Sequence, residues 1–86
     1  MEMEKLLQKW KDEDERRGKE GQVFGGYILI GSGSEEIERA AALMKIQADV
    51  TNDATGNKIK EIMMFVAVEG EIAVCGWTGI IPKEEE

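Results

Sequence analysis

The chain has 86 residues, with 11 basic and 18 acidic side chains, a formal net charge of −7 and no histidine. This size, with 42% hydrophobic residues, fits one small globular domain and excludes a wholly disordered chain. The acidic excess argues against direct binding of nucleic acid, because phosphate contacts need a surplus of lysine and arginine. A single cysteine excludes an internal disulfide, and the apolar runs are too short to span a membrane. We therefore expect a cytoplasmic protein that does not bind a membrane.

The N-terminal residues predict a helix over residues 2–17. Apolar residues recur there at the spacing of one helical face: Met3, Leu6, Leu7 and Trp10. The segment 11–20 is almost wholly charged, so we expect the helix to be anchored at its start only, with a mobile arm as the alternative. Trp10 ends the apolar stripe and is large enough to dominate an interface, which makes it a candidate partner-binding residue.

A strand over residues 23–30 is predicted next, from a run of β-branched and aromatic residues. The pair Gly25-Gly26 interrupts it, and we expect a β-bulge there rather than the tight turn of a small hairpin. The turn 31–34, of sequence Gly-Ser-Gly-Ser, then leads into a helix that is predicted over 34–46. Ser34 is the expected N-cap of this helix.

The segment that follows this helix allows two interpretations. Apolar and polar residues alternate over 46–50, which favours a short edge strand, with a continuing helix as the alternative. Residues 51–57 are rich in asparagine, aspartate, threonine and glycine, a composition typical of a turn.

The longest apolar run of the chain, 62–68, is followed by a second run, 72–77, and the two predict a β-hairpin. With Glu69-Gly70 as its turn, Val68 lies opposite Glu71. Both faces of this hairpin are apolar, so each face must be covered by another element.

Together these elements predict an α+β fold with a mainly antiparallel sheet of three or four strands. The helix over 34–46 would cover one face of the sheet, and the helix over 2–17, or a second copy of the chain, would cover the other. We expect a single domain, 1–86, in which residues 22–81 form the α+β core and 82–86 form a disordered acidic tail.

The sequence offers little for catalysis. Histidine, the commonest general base and metal ligand, is absent, and Cys75 lies in a predicted buried strand, where a thiol is inert. No carboxylates have the spacing of a calcium loop. The turn 31–34 lacks the lysine of a P-loop and the third glycine of a dinucleotide fingerprint. We therefore expect a protein that is not an enzyme and that uses no metal and no cofactor.

The leading hypothesis is an acidic interaction protein that inhibits or regulates a larger protein by occupying its surface. One form of it is a viral counter-defence inhibitor of the anti-CRISPR or anti-restriction type, whose carboxylates imitate DNA phosphates and fill a basic nucleic-acid channel. The likeness to such inhibitors lies in size and charge. The candidate partner-binding residues are Trp10, Glu35, Glu36, Glu38, Asp49 and Asp53.

The alternative hypothesis is a homo-oligomeric protein, or sponge, that binds a small nucleotide-like molecule. It is motivated by the strand-to-helix turn and by a sheet face that a homodimer would bury. The pocket would lie between subunits, and its candidate ligand-binding residues are Tyr27, Gly31, Ser32, Gly33 and Ser34.

Overall fold

The computed structural model describes residues 2–83 as two helices and a three-stranded antiparallel sheet, which confirms the predicted α+β fold. In chain order the elements are α1 (Glu2–Gly18), β1 (Gly21–Gly31), α2 (Ser34–Ala54), β2 (Lys60–Glu69) and β3 (Ile72–Pro82). The strand order is β1-β3-β2, so the last strand is central and the other two are edges. Neither of these helices is long and apolar enough to cross a membrane. Residues 84–86 of the predicted acidic tail lie outside the described residues.

Strand β3 contributes to both halves of the core because it is paired on both sides. Its residues 73–81 are all buried. Alternate side chains of a strand point to opposite faces of the sheet. Cys75 and Trp77 pack towards α2, whereas Thr78 contacts α1. We call these two sides of the sheet the α2 face and the α1 face.

Helix α2 covers its face through a stripe of small and flexible residues. Ala40, Met44 and Ala48 are buried and belong to one core cluster with Cys75 and Trp77. Small side chains let a helix lie close to a sheet. The large indole of Trp77 belongs to the same cluster and packs beside these alanines.

The second helix is longer than predicted, since it continues to Ala54, and residues 46–50 are helical rather than an edge strand. Ala48 gives the physical reason, because its burial to 1% exposed area extends the apolar stripe by a further turn. Ile46 and Val50 lie four residues apart, a spacing that fits a helix as well as an alternating strand.

The N-cap prediction for α2 is also wrong. Gly33 is the N-cap residue, with an extended backbone and no capping bond from a side chain, and Ser34 is the first helical residue. The turn is tied to the sheet one residue earlier, because the Ser32 N–H donates to the Glu71 carbonyl at 3.1 Å. This main-chain bond, rather than a serine hydroxyl, holds the start of the helix.

Strands β2 and β3 form the predicted hairpin in a different register. Val68 lies opposite Ala73 rather than Glu71, so the turn residues are Gly70-Glu71. Gly70 has a positive φ of 61° and occupies the first loop position, where a type II′ turn favours glycine. Because the register differs from the prediction by two residues, the same side chains of the two strands share a face as in the predicted register.

Strand β1 is continuous, and its regular pairing with β3 leaves no bulge at Gly25-Gly26, contrary to the prediction. A side chain at Gly26 would overlap the end of Gln47 in α2. The Gln47 Oε1 accepts a hydrogen bond from the Trp77 Nε1 at 2.6 Å. Gly26 therefore marks a close approach by another element rather than a kink in the strand.

The bulge of the sheet lies in β2, between Lys60 and Met63, where Glu61 has a φ of 53°. The carbonyl of Glu61 accepts a hydrogen bond from the Arg17 Nη2 at 3.2 Å, and the Arg17 Nη1 donates to the Thr78 Oγ1 at 3.4 Å. Arg17 is only 2% exposed. The prediction that α1 is anchored at its start only is therefore wrong, because its charged end also joins the core.

Candidate functional site

A cleft of about 550 Å³ lies between α1 and the β1 side of the sheet. Its volume is within the range of roughly 300–1,000 Å³ that is typical of small-molecule sites. We call it the aromatic cleft. The residues that line it are Leu7, Trp10, Lys11, Asp14, Val23, Phe24, Gly25, Gly26, Tyr27, Phe65 and Trp77.

Two glycines lie on the α1 face near the cleft, and the space above one of them is filled. A Cβ at Gly76 of β3 would overlap the ring of Phe65, which lies across it. Trp10 packs on Phe65 with the two ring planes inclined by 50°. Gly25 lies on the same face in β1, opposite Thr78. Because it has no side chain, the backbone of β1 is uncovered beside these rings.

All five aromatic residues of the chain border this cleft. Trp10, Tyr27 and Phe65 belong to the α1 face, where their rings form the walls. Phe24 and Trp77 border the cleft from strands whose side chains at those positions point to the α2 face. Tyr27 is 60% exposed, so its ring is available for stacking.

Lys11 and Asp14 supply the charges at the cleft. The Asp14 carboxylate accepts a hydrogen bond from the Thr78 hydroxyl at 3.1 Å, which holds it towards the sheet. Lys11 is exposed and takes part in none of the ion pairs found within residues 2–83. Its ammonium group is therefore free to neutralise an anionic group of a ligand.

A smaller cleft of about 190 Å³ lies on the other side of α1, towards β2. Trp10 and Asp14 border both clefts, and Met63 of β2 borders the smaller one. Glu13 also borders it, and a hydrogen bond from Arg16 lowers the pKa of that carboxyl. A change of the Trp10 side chain would therefore alter the lining of both clefts.

The structure separates the residues that the sequence suggests for partner binding. Trp10 lies on α1, whereas the five carboxylates lie on α2, on the opposite face of the sheet. Glu35, Glu38, Asp49 and Asp53 are exposed and share the outward side of α2, because their spacing follows the helical repeat. Asp49 is paired with Lys45 at 2.8 Å.

Glu36 occupies a different position from the other four carboxylates, next to Gly31 at the end of β1. A side chain at Gly31 would overlap its carboxylate. The predicted acidic set therefore comprises a group of four on one side of α2 and one residue at the sheet edge. Its role in partner binding stays a prediction.

The structure also divides the predicted ligand-binding residues. Tyr27 lies in the aromatic cleft, while the turn 31–34 follows the end of β1. Gly31 follows Tyr27 by four positions, a distance of about 13 Å along β1. Ser32 and Gly33 each use a main-chain group in a hydrogen bond of the strand-to-helix turn. Of the predicted set, Tyr27 alone borders the cleft.

The sequence does not predict Lys11, Asp14, Gly25 or Phe65 as site residues. A Gly-Gly pair inside a strand indicates that something approaches the backbone closely, and this signal points to Gly25. The other three come together only because α1 crosses the face that carries Phe65. No local pattern encodes the direction of that crossing.

The single thiol of the chain lies outside the cleft. Cys75 is buried beneath α2, and burial raises the pKa of its thiol. Within residues 2–83, no group of three or more carboxylate or thiol side chains lies close enough to hold a metal ion. The expectation of a protein that works without a metal or cofactor stays a prediction.

Comparisons of the chain with protein-family models, with curated proteins and with solved structures find no match. The fold and the cleft define a small α+β domain with one aromatic-lined space between a helix and a sheet edge. Its function is therefore argued from its own residues.

Proposed function

We propose that the protein is a non-enzymatic binding protein for a small molecule that carries a planar, nucleobase-like ring and an anionic group. The observation that carries this proposal is the exposed ring of Tyr27 beside Gly25, which has no side chain, in a cleft that Trp10 also lines. Base–aromatic stacking contributes about 1–3 kcal/mol per base and does not depend on which base is present. The cleft therefore suits a flat ring better than a branched aliphatic molecule.

The side chains around the cleft have distinct roles in this proposal. Tyr27 and Trp10 sandwich or flank the ring, and Gly25 lets it approach the backbone closely. Lys11 pairs with the anionic group at the mouth. Asp14, held by Thr78, accepts a hydrogen bond from an N–H or O–H of the ligand.

Isothermal titration calorimetry with nucleoside monophosphates, the matching nucleosides and ribose 5-phosphate tests the proposal. We expect the nucleotides to bind more tightly than the nucleosides, and ribose 5-phosphate not to bind because it lacks the ring. Tyr27→Ala should weaken nucleotide binding by about 5- to 100-fold, the equivalent of one lost stacking contact. Lys11→Ala should weaken the binding of nucleotides and leave the binding of nucleosides unchanged.

Matched controls separate the site from general effects on the fold. Leu29→Ala changes a residue on the same strand and face as Tyr27, with 62% exposure against 60%, that does not border the cleft. Lys5→Ala removes an exposed charge from the same helix as Lys11. If Leu29→Ala weakens nucleotide binding as much as Tyr27→Ala does, the assignment of the binding site to the aromatic cleft is contradicted. Absence of binding across the whole panel at millimolar concentration would overturn the ligand class.

An acidic inhibitor of a nucleic-acid-binding protein is the second candidate function. It is favoured by Glu35, Glu38, Asp49 and Asp53, which follow one side of α2 over about 27 Å of helix. Carboxylates in a row on a rigid element can occupy a channel that is lined with basic residues. The pairing of Asp49 with Lys45 reduces the charge of this row, so the first proposal has the stronger support.

DNA-cleavage assays with restriction endonucleases and CRISPR nucleases test this second function. We expect the protein to slow cleavage, and a variant with Glu35→Gln, Glu38→Gln, Asp49→Asn and Asp53→Asn to lose that effect. The control neutralises four exposed carboxylates of α1 and the following turn, Glu4, Asp12, Glu15 and Glu20. Equal inhibition by both variants would exclude phosphate mimicry by α2.

A further inference from the structure

The outer edge of β2 is an unpaired strand edge in the described part of the chain, because β2 is the last strand in the order β1-β3-β2. Proteins protect such edges with charges, prolines or bulges in the middle of the strand. Residues 63–68 contain no charged residue and no proline, and the bulge, at Glu61 and Ile62, lies before them. This edge is therefore open to another strand.

Side chains on both faces of β2 are about half exposed. Met63 on the α1 face is 49% exposed, and Met64, Val66 and Val68 on the α2 face are 42%, 47% and 52% exposed. On the α2 face the other edge strand differs, since the residues of β1 there, among them Ile28, pack against the core. The apolar area that lacks cover on the α2 face thus lies at β2.

The two ends of β2 carry opposite charges on the same face. Lys60 lies opposite Ile80, and Glu69 lies opposite Ile72, both at α1-face positions of β3. The bulge brings this about, because one extra residue reverses the alternation between Lys60 and Met63. Neither charge takes part in an ion pair found among residues 2–83.

We propose that β2 pairs antiparallel with β2 of a second copy of this chain, centred on Phe65. A two-fold axis normal to the sheet brings residues of the same face opposite each other. In the register centred on Phe65, Met64 of one copy faces Val66 of the partner subunit. The bulge sets Glu61 and Ile62 opposite the single residue Val68 of the partner subunit, so Lys60 then faces Glu69 of the partner subunit, and the symmetry forms this pair twice.

Such a dimer is closed and keeps the two copies of α2 apart. An isologous interface uses the same surface on both copies and cannot extend further. The two copies of β3 would lie three strand spacings apart, about 14 Å. Since α2 packs mainly on β1 and β3, its two copies stay beyond the roughly 8–10 Å of direct helix contact.

Sedimentation equilibrium at low ionic strength, combined with charge swaps, tests the proposal. We expect the wild-type chain to dimerise. Lys60→Glu or Glu69→Lys should each raise the dimer dissociation constant about tenfold, because two attractive pairs become repulsive. The double variant Lys60→Glu/Glu69→Lys should recover most of the lost affinity, since it restores both pairs with exchanged signs.

Two controls change the same net charge outside the pairing. Lys58→Glu and Glu71→Lys alter exposed residues that lie beyond the ends of β2, and we expect little effect on the dimer. A wild-type chain that remains monomeric at high micromolar concentration would overturn the proposal. A dimer that the double variant fails to restore, or assemblies that grow without limit as concentration rises, would also overturn it.

Discussion

Arg17 is the residue through which the charged end of α1 joins the core. Its guanidinium donates to a hydroxyl and a carbonyl, those of Thr78 and Glu61, rather than to a carboxylate. The carboxylate of Asp14 is linked to it only through the Thr78 hydroxyl. Burial of a cation is costly unless its N–H groups are hydrogen-bonded. This small network therefore connects α1, β2 and β3 as one unit.

Replacement of Arg17 by alanine should lower the free energy of unfolding by about 2–3 kcal/mol, because it leaves the Glu61 carbonyl and the Thr78 hydroxyl without their donor. The matched control is Arg16→Ala, which removes an exposed guanidinium paired with Glu13 and Glu20 and should cost less than about 1 kcal/mol. Urea unfolding followed by circular dichroism measures both. Equal losses in the two variants would contradict the buried network.

The sequence gives no indication that Arg17 is buried. It lies in a run of charged residues, a pattern that predicts a solvated helix face. Its burial depends on the position of the Glu61 carbonyl, 44 residues later, and on the bulge that turns this carbonyl towards α1. Such a match between distant residues has no local signature.

The elements themselves follow from sequence patterns, but their ends do not. The apolar periodicity of α1, the Gly-Ser-Gly-Ser turn before α2 and the two apolar runs of the hairpin predict the element order correctly. The end of α2 is mispredicted because Ile46 and Val50 satisfy both periods. Burial of Ala48, which depends on the sheet beneath it, selects the helix.

Val50→Pro tests the length of α2. Val50 is exposed, so the change acts through the backbone: proline removes a main-chain hydrogen bond and clashes with the preceding turn. We expect a loss of about 3 kcal/mol in unfolding free energy. Val50→Ala is the control and should leave stability unchanged or slightly raised, because alanine favours a helix. If proline is tolerated as well as alanine, the segment 46–50 is not helical in solution.

At the scale of the whole molecule, one thiol lies at the centre. Cys75 belongs to the middle of the central strand and is covered by α2. The Cys75 thiol becomes accessible to solvent only when α2 leaves the sheet, an opening that is close to global unfolding. Reaction of this thiol with an alkylating reagent should therefore follow the population of the unfolded chain.

The raised pKa of Cys75 makes stability depend on alkaline pH. The unfolded chain releases the thiol proton at a lower pH than the folded chain does. The stabilisation is present below the unfolded pKa and is lost as the pH rises through the folded one. We expect the unfolding free energy to fall above about pH 8.5, and to fall less in Cys75→Ala. Urea unfolding from pH 7 to 10 under reducing conditions measures this free energy for both proteins. If it falls equally with pH in the wild-type chain and in Cys75→Ala, the decline belongs to other groups.

The two tryptophans lie on opposite faces of the sheet, one fixed by Gln47 under α2 and the other against Phe65 under α1. The chain therefore carries a separate optical reporter for each half of its core. Trp77 should emit at shorter wavelength than the partly solvated Trp10. A detachment of α1 that leaves the sheet intact would change only the Trp10 component, so Trp10→Phe and Trp77→Phe would let each layer be followed alone.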